Sequence, residues 1–207
     1  MRIIFVDLQD EVVDAWQRFF SNEENVVVAQ DSIFELECDA LVSPANSFGF
    51  MDGGLDLRIS EFFGWHVQER LQHLIQVKHR GELLVGLAEI IPTDHSSIPY
   101  VISAPTMRVP MILRRETVNI YLATRPVLLL IKYGTFENGI PISDKVGTVA
   151  IPGMGTGVGK VPPDICARQM KHAFDDVECE FQFPTTWAEA QKRHQLLFSE
   201  KYRDLQI

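Results

Sequence analysis

Two glycine-containing segments of this sequence hold the residues that could form a ligand site. In the segment 153–159, Gly-Met-Gly-Thr-Gly-Val-Gly, every second residue is a glycine, and the run lies between an apolar segment and a predicted helix. Glycines let backbone N–H groups approach a ligand closely, and a loop that leads into a helix N-terminus is suited to bind an anion. We therefore predict a phosphate-bearing ligand here. The alternative is an ordinary flexible loop.

The second segment places an amide and a carboxyl group after a buried strand. The apolar run 40–42 leads to Asn46, and Asp56 follows ten residues later, just past Gly53 and Gly54. Polar groups at the carboxyl ends of core strands form the ligand sites of open α/β sheets. Because an amide both donates and accepts hydrogen bonds, Asn46 is predicted to bind a ribose hydroxyl. Asp56 is a reactive group of the same site, the N-cap of a helix, or both.

The loop 153–159 matches neither of the two common nucleotide-binding glycine loops. In the P-loop pattern the first glycine would fall on Met154, and Val161 would replace the magnesium-binding Ser or Thr. In the dinucleotide fingerprint the last glycine would fall on Val158 or Lys160. The loop therefore belongs to another class of phosphate site.

Composition limits the class of protein and its partners. The 207 residues are 46% hydrophobic, which fits one domain with a sizeable core. The net charge of −9 argues against non-specific nucleic-acid binding. Cys38, Cys166 and Cys179 form no C-x-x-C pair, which favours a reducing compartment and offers no metal site. With no signal peptide and no apolar run of about 20 residues, we expect a cytoplasmic protein without a membrane partner.

Strand and helix patterns alternate along the chain. Apolar runs predict strands at 3–6, 26–29, 40–42, 83–91, 100–103 and 148–151. Helical spacing predicts helices at 11–20, at 57–77 with a break near Gly64, at 116–123 with an end near Pro126, and at 165–174. This alternation predicts a three-layer α/β domain. Residues 187–202 are predicted to form a C-terminal helix packed on the core, or a partly loose tail.

Three motifs resemble those of the macrodomain family. They are D-A-L-V-S-P-A-N at 39–46, G-G-L-D at 53–56 and G-M-G-T-G-V-G-K-V-P at 153–162. In the family, a V-D-A-I-V-N-A-A-N strand leads to a glycine run ending in V-D, and a later S-T-G-(I/V)-(F/Y)-G loop precedes the penultimate helix. The resemblance implies a three-layer α/β/α fold with a central mixed sheet for residues 1–176. Residues 177–207 would be a C-terminal extension, helical and packed on that domain.

The resemblance also implies an ADP-ribose site without a cofactor or metal ion. Asp31 would bind the adenine amino group, the loop from Gly155 to Gly159 would surround the diphosphate, and Asn46 would contact the distal ribose. Asp56 would orient a water molecule near the anomeric carbon, so Asn46 and Asp56 form the predicted catalytic pair. For Asp31 the alternative is a turn residue. The predicted ligand-binding set is Asp31, Ser32, Ile33, Asn46, Gly53, Gly54, Leu55, Gly153, Gly155, Thr156, Gly157, Val158 and Gly159.

Some positions depart from the family pattern and leave two functions open. Met51 and Asp52 replace two glycines of the usual four-glycine run, Ser43 replaces an asparagine, and Gly159 replaces an aromatic residue. The first function is hydrolysis that frees ADP-ribose from a modified protein, a nucleic acid or a small ester such as O-acetyl-ADP-ribose. The alternative is a non-catalytic ADP-ribose reader or nucleotide sensor. The partner is ADP-ribose or an ADP-ribosylated substrate in either case, and the sequence leaves the oligomeric state open.

Overall fold

The computed structural model describes residues 1–179 and 181–204, which form six strands and six α-helices. The strands are β1 (Arg2–Asp7), β2 (Val26–Gln30), β3 (Ala40–Ser43), β4 (Glu89–Pro92), β5 (Tyr100–Ser103) and β6 (Thr148–Ile151). The helices are α1 (Asp10–Phe20), α2 (Gly54–Phe63), α3 (His66–His79), α4 (Asn119–Tyr133), α5 (Pro163–Glu178) and α6 (Trp187–Leu196). None of the helices in the described ranges is both long and apolar enough to cross a membrane.

The strands form one mixed sheet in the order β2-β1-β6-β3-β5-β4. All neighbouring pairs are parallel except β4 and β5. Alternate residues of β1 enter different cores: Phe5 lies in the core that includes Trp16 of α1, and Ile4 lies in the core that includes Leu71 of α3. Because both faces of the sheet are covered, the predicted three-layer α/β/α fold with a central mixed sheet is confirmed.

The predicted helix break near Gly64 is present, whereas the predicted strand 83–91 and the predicted helix end near Pro126 are wrong. Gly64, with φ +102°, separates α2 from α3 as expected. The predicted strand 83–91 is reduced to β4, because the chain turns at Gly86, with φ +106°, and only residues from Glu89 onward reach the sheet. A predicted helix end at Pro126 is also wrong, since α4 continues through it to Tyr133.

Burial explains why α4 tolerates a proline. An internal proline costs a helix about 3 kcal/mol through its missing N–H and its clash with the preceding turn. The residues that follow Pro126 include Val127, Leu128 and Ile131, all buried in the core. Each fully buried aliphatic side chain contributes about 1.5–3 kcal/mol, so their burial offsets the cost.

The C-terminal part continues from the domain without a break at residue 176. Helix α5 runs to Glu178, and α6 follows within the predicted extension, where residues 180 and 205–207 lie outside the described residues. Leu197 is buried, and Phe198 packs against the core on the α1 side of the sheet. Arg168 of α5 forms an ion pair with Glu200 at 3.2 Å. The division of the chain at residue 176 stays a prediction.

Candidate functional site

A cavity of about 980 Å³ lies where the parallel strands of the sheet end. It is lined by the segments that follow β1, β2, β3, β5 and β6, together with the N-terminal turn of α2. All residues of the predicted set line it: 31–33 after β2, Asn46 and 53–56 after β3, and Gly153 with 155–159 after β6. The structure therefore brings the predicted residues together in one cavity.

The strand order arranges these segments in a row. Asp31 follows β2 at one end, the glycine loop follows β6 in the middle, and Asn46 follows β3 beyond it. Strands lie about 4.8 Å apart, so the three steps from β2 to β3 span roughly 14 Å. The cavity is therefore suited to an elongated ligand whose anionic part lies near its centre.

Three glycines of the loop 153–159 lie close to other atoms of the protein. A Cβ on Gly153 would lie 2.6 Å from the Asp7 carboxylate, which also accepts a hydrogen bond from the Gly153 N–H at 3.2 Å. Gly155 has φ +73°, and its Cβ would lie 2.6 Å from Cδ1 of Ile120. A Cβ on Gly159 would lie 2.5 Å from the Gly155 carbonyl oxygen. Larger residues at Gly155 and Gly159 would disrupt the loop without any ligand, because of the positive φ of the first and the backbone contact of the second. At Gly153 the neighbouring atoms are the ends of the Asp7 and Thr156 side chains, which can move.

Gly157 and Gly53 have no such internal reason to be glycine. A Cβ at either position would meet no atom within 4 Å, and both residues are exposed at the cavity. Gly53 has φ −147°, an extended conformation that any residue adopts. Open space next to these two backbones leaves room for a ligand to approach from both sides of the cavity.

The Asn46 side chain organises the loop in which it lies. Its Oδ1 accepts hydrogen bonds from the N–H groups of Phe48 and Phe50, at 3.1 and 3.3 Å, and its Nδ2 donates to the Phe50 carbonyl at 2.7 Å. Both acceptor positions of Oδ1 are thereby occupied, which leaves one N–H of the amide for a ligand. The amide can therefore donate to a ligand but has no free acceptor to offer it.

Asp56 is a buried carboxyl group at the edge of the same cavity. It lies in the first turn of α2 and accepts a hydrogen bond from the Ser43 hydroxyl, while Gly53 occupies the N-cap position. The N-cap alternative for Asp56 is therefore wrong. Burial raises the pKa of Asp56 to about 6, the Ser43 hydrogen bond acts in the opposite direction, and the negative charge of Asp52 raises it further. A carboxyl group with this pKa can exchange protons near neutral pH.

Two features of the site were not predicted from the sequence: the hydrogen bond of Ser43 and an apolar part of the cavity. Ser43 ends β3 and donates a hydrogen bond to Asp56 from the position where the family has asparagine. Phe50, Met107 and Pro110 line the cavity beyond Asn46. Phe50 could have been predicted as a cavity residue, since it follows a glycine in the loop between Asn46 and Asp56. Met107 and Pro110 follow β5, and only the sheet order shows their proximity.

Comparison with known proteins identifies the class. The family model for the macro domain matches residues 42–170, so the chain belongs to the macrodomain family. An uncharacterized protein of Aquifex aeolicus is 34% identical over 146 residues, which are 70% of this chain and 78% of the relative.

Solved structures share the fold at low sequence identity. The macrodomain of Mycobacterium tuberculosis DarG has a TM-score of 0.58 at 17% identity and covers 72% of this chain and 88% of its own. A mutant of the Oceanobacillus iheyensis macrodomain, solved with ADPR, has a TM-score of 0.57 at 19% identity and covers 73% of this chain and 77% of its own. The resemblance predicted from the sequence is thus confirmed.

Proposed function

We propose that this protein binds ADP-ribose in the cavity and releases it by hydrolysis from a modified protein, a nucleic acid or a small-molecule ester. The observation that carries this proposal is the buried carboxyl group of Asp56, with a pKa of about 6, in one cavity with the open backbone of Gly157. Membership of the macrodomain family and the ADPR complex of the Oceanobacillus iheyensis macrodomain support the choice of ligand.

The ligand would lie along the row of strand ends. The adenine would contact the segment 31–33, with its amino group donating to Asp31. The diphosphate would accept hydrogen bonds from backbone N–H groups of 155–159 on one side and of Gly53 and Gly54 on the other. The distal ribose would accept a hydrogen bond from Asn46 Nδ2. The order of these segments across the sheet supports this orientation.

In the proposed reaction Asp56 acts as a general base toward water. Its carboxylate takes a proton from a water molecule whose oxygen forms a bond to the anomeric carbon of the distal ribose or, in an ester such as O-acetyl-ADP-ribose, to the acyl carbon. The bond from the attacked carbon to its leaving oxygen or nitrogen atom breaks, and that atom takes up a proton. With a pKa of about 6, the carboxylate form prevails about tenfold at pH 7. General base catalysis of this kind typically contributes ~10²–10⁴-fold.

The test measures binding and release separately. ADP-ribose affinity is measured by calorimetry, and free ADP-ribose is measured after incubation with ester, glycosidic and 1″-phosphate substrates. We expect Asp56→Asn to lower the rate by about 10²–10⁴-fold with little loss of affinity. Asp14→Asn, an exposed carboxyl of α1 that does not line the cavity, is the matched control. Wild-type protein that binds ADP-ribose but releases none from any substrate would contradict the hydrolytic part. Absence of binding to any adenine nucleotide would contradict the whole proposal.

A non-catalytic ADP-ribose reader is the second candidate, and the Asn46 hydrogen bonds favour it. The Asn46 carbonyl oxygen is fully used within its own loop, so it has no acceptor to offer to the distal ribose or to water. Tight ADP-ribose binding without turnover would support this candidate.

We also propose that the protein works in a reducing compartment, the cytoplasm, and does not bind nucleic acid non-specifically. Cys38, Cys166 and Cys179 are free thiols, and the net charge is −9. Cell fractionation and a salt titration with unmodified DNA check these two points.

A further inference from the structure

We propose that the end of the cavity furthest from Asp31 binds the group attached to the distal ribose, and that this group is a planar aromatic ring and not an anion. This inference rests on the proposed function, because it assumes ADP-ribose in the orientation given above. The residues concerned are Phe50, Met107 and Pro110, here called the acceptor wall.

Phe50 presents an exposed ring on a loop that is otherwise packed. Between residues 41 and 51 it is the only exposed residue, with 54% of its surface accessible. The preceding Gly49 is buried against side chains of α3, and the following Met51 is fully buried. The Asn46 side chain bonds both the N–H and the C=O of Phe50. The backbone that carries the exposed ring is therefore held in place before any ligand binds, which lowers the entropic cost of a contact.

The acceptor wall lies beyond the proposed reaction centre. Phe50 follows β3, whereas Met107 and Pro110 follow β5, which pairs with β3 on the side away from the glycine loop. Hydrogen bonds from Thr106 N to Ala45 O, at 3.1 Å, and from Ser47 N to Arg108 O, at 3.1 Å, join the two segments. A group on the anomeric carbon would leave the cavity along this wall.

The chemistry of the wall favours a flat apolar ring. Further exposed apolar side chains lie on the same segment as Met107 and Pro110, at Val109, Met111 and Ile112. An exposed phenylalanine ring gains most from stacking on another ring, and such contacts typically contribute several-fold to more than a hundredfold in affinity.

Charge at this end of the cavity acts against an anion. The carboxyl groups of Asp52 and Asp56 line the cavity on the segment that follows β3, and both would repel one. The Arg58 guanidinium also lines it, but it is exposed and pairs with Glu61 at 3.2 Å. Lys160 lines the cavity as well, but it follows β6 at the end of the glycine loop. Among the residues that follow β3, an anionic group on the distal ribose would therefore meet two carboxyl groups and a cation that already has a partner.

Three ligands that differ only at the distal ribose test the inference. ADP-ribose has no attached group, NAD carries the planar nicotinamide ring, and ADP-ribose 1″-phosphate carries an anion. Affinities are measured by calorimetry for wild type, Phe50→Ala and Phe50→Trp. The matched control is Phe183→Ala, since Phe183 is 81% exposed and does not line the cavity.

We expect wild-type protein to bind NAD more tightly than the 1″-phosphate. Phe50→Ala should weaken NAD binding about tenfold, which is about 1.4 kcal/mol, and change ADP-ribose binding less than about twofold. Phe50→Trp should retain NAD binding, and Phe183→Ala should change nothing.

Two results would overturn the inference and leave the proposed function standing. In the first, Phe50→Ala weakens ADP-ribose and NAD equally, which would place the ring against the ribose. In the second, wild type binds the 1″-phosphate as tightly as NAD. A wild-type protein that does not bind ADP-ribose would instead defeat the proposed function, and this inference with it.

Discussion

Asp56→Asn should stabilise the protein at neutral pH, although the proposed catalysis depends on Asp56. Burial raises the pKa of Asp56 from 3.8 to about 6 in the folded chain. Between these values the native state binds more protons than the unfolded state, so stability falls as the pH rises. The stabilisation that comes from keeping this carboxyl protonated in the folded chain is complete below about pH 3.8 and is lost as the pH rises through about 6. Asparagine has no charge to desolvate and avoids this loss.

The magnitude follows from the size of the pKa difference. About two units at 1.36 kcal/mol each give a stability gain of about 3 kcal/mol at pH 7, whereas at pH 4 the same relation gives only about 0.5 kcal/mol. For a chain of this size, 3 kcal/mol corresponds to roughly 6–12 °C in the unfolding midpoint. The Ser43 hydroxyl, which donates to the carboxylate, can rotate to accept a hydrogen bond from the new amide.

Urea unfolding of wild type and Asp56→Asn at several pH values between 4 and 8 measures this difference. Asp14→Asn changes an exposed carboxyl of α1 outside the cavity and should stay within about 0.5 kcal/mol of wild type throughout. A gap between Asp56→Asn and wild type that is the same at pH 4 and pH 7 would refute the reasoning. So would a variant that is less stable than wild type at pH 7.

Three further predictions concern Gly157, Gly155 and Ser43. Gly157→Val should reduce ADP-ribose affinity by about a hundredfold or more, because the added side chain would occupy the space of the ligand. The unfolding midpoint of the free protein should be nearly unchanged, because a Cβ at this position meets no protein atom within 4 Å. Gly155→Val should instead lower the unfolding midpoint, because Gly155 has φ +73° and its Cβ would lie 2.6 Å from Cδ1 of Ile120. Scanning fluorimetry with and without ADP-ribose distinguishes the two variants. Equal losses of midpoint in both variants would contradict both predictions. Ser43→Ala removes the hydrogen bond that lowers the pKa of Asp56, so the acidic limb of the pH–rate profile should move upward by about one unit. A limb that stays in place or moves down would show that Ser43 does not hold the charged form of Asp56.

The membership of the cavity could be predicted from the sequence because of how parallel sheets are built. Asp31, Asn46 and Gly153 each follow an apolar strand, and parallel strands end at the same edge of a sheet. The contact between Ser43 and Asp56 could not be predicted, because it depends on how α2 packs over the end of β3. The family comparison indicates only that an asparagine is missing at Ser43, and gives no sign of the new hydrogen bond.

Local patterns were misleading where packing overrides them. Residues 83–91 have the apolar content of a strand, but the turn at Gly86 leaves only the part from Glu89 to pair with β5. Pro126 is a helix breaker by its local chemistry, yet the buried residues after it keep α4 intact. Both errors concern segments whose conformation is decided by distant parts of the chain.

The glycines of 153–159 are subject to two different constraints if the protein binds a nucleotide, and this predicts which of them can change first during evolution. Gly155 and Gly159 meet other protein atoms, so they are constrained whatever the protein binds. Gly157 faces open space and is constrained only by a ligand. In lineages of this fold that lose the nucleotide, drift should therefore reach position 157 first, while Gly155 and Gly159 persist. An intact alternating pattern in a homologue would then mark retained binding, and a pattern interrupted only at the third glycine would mark its loss.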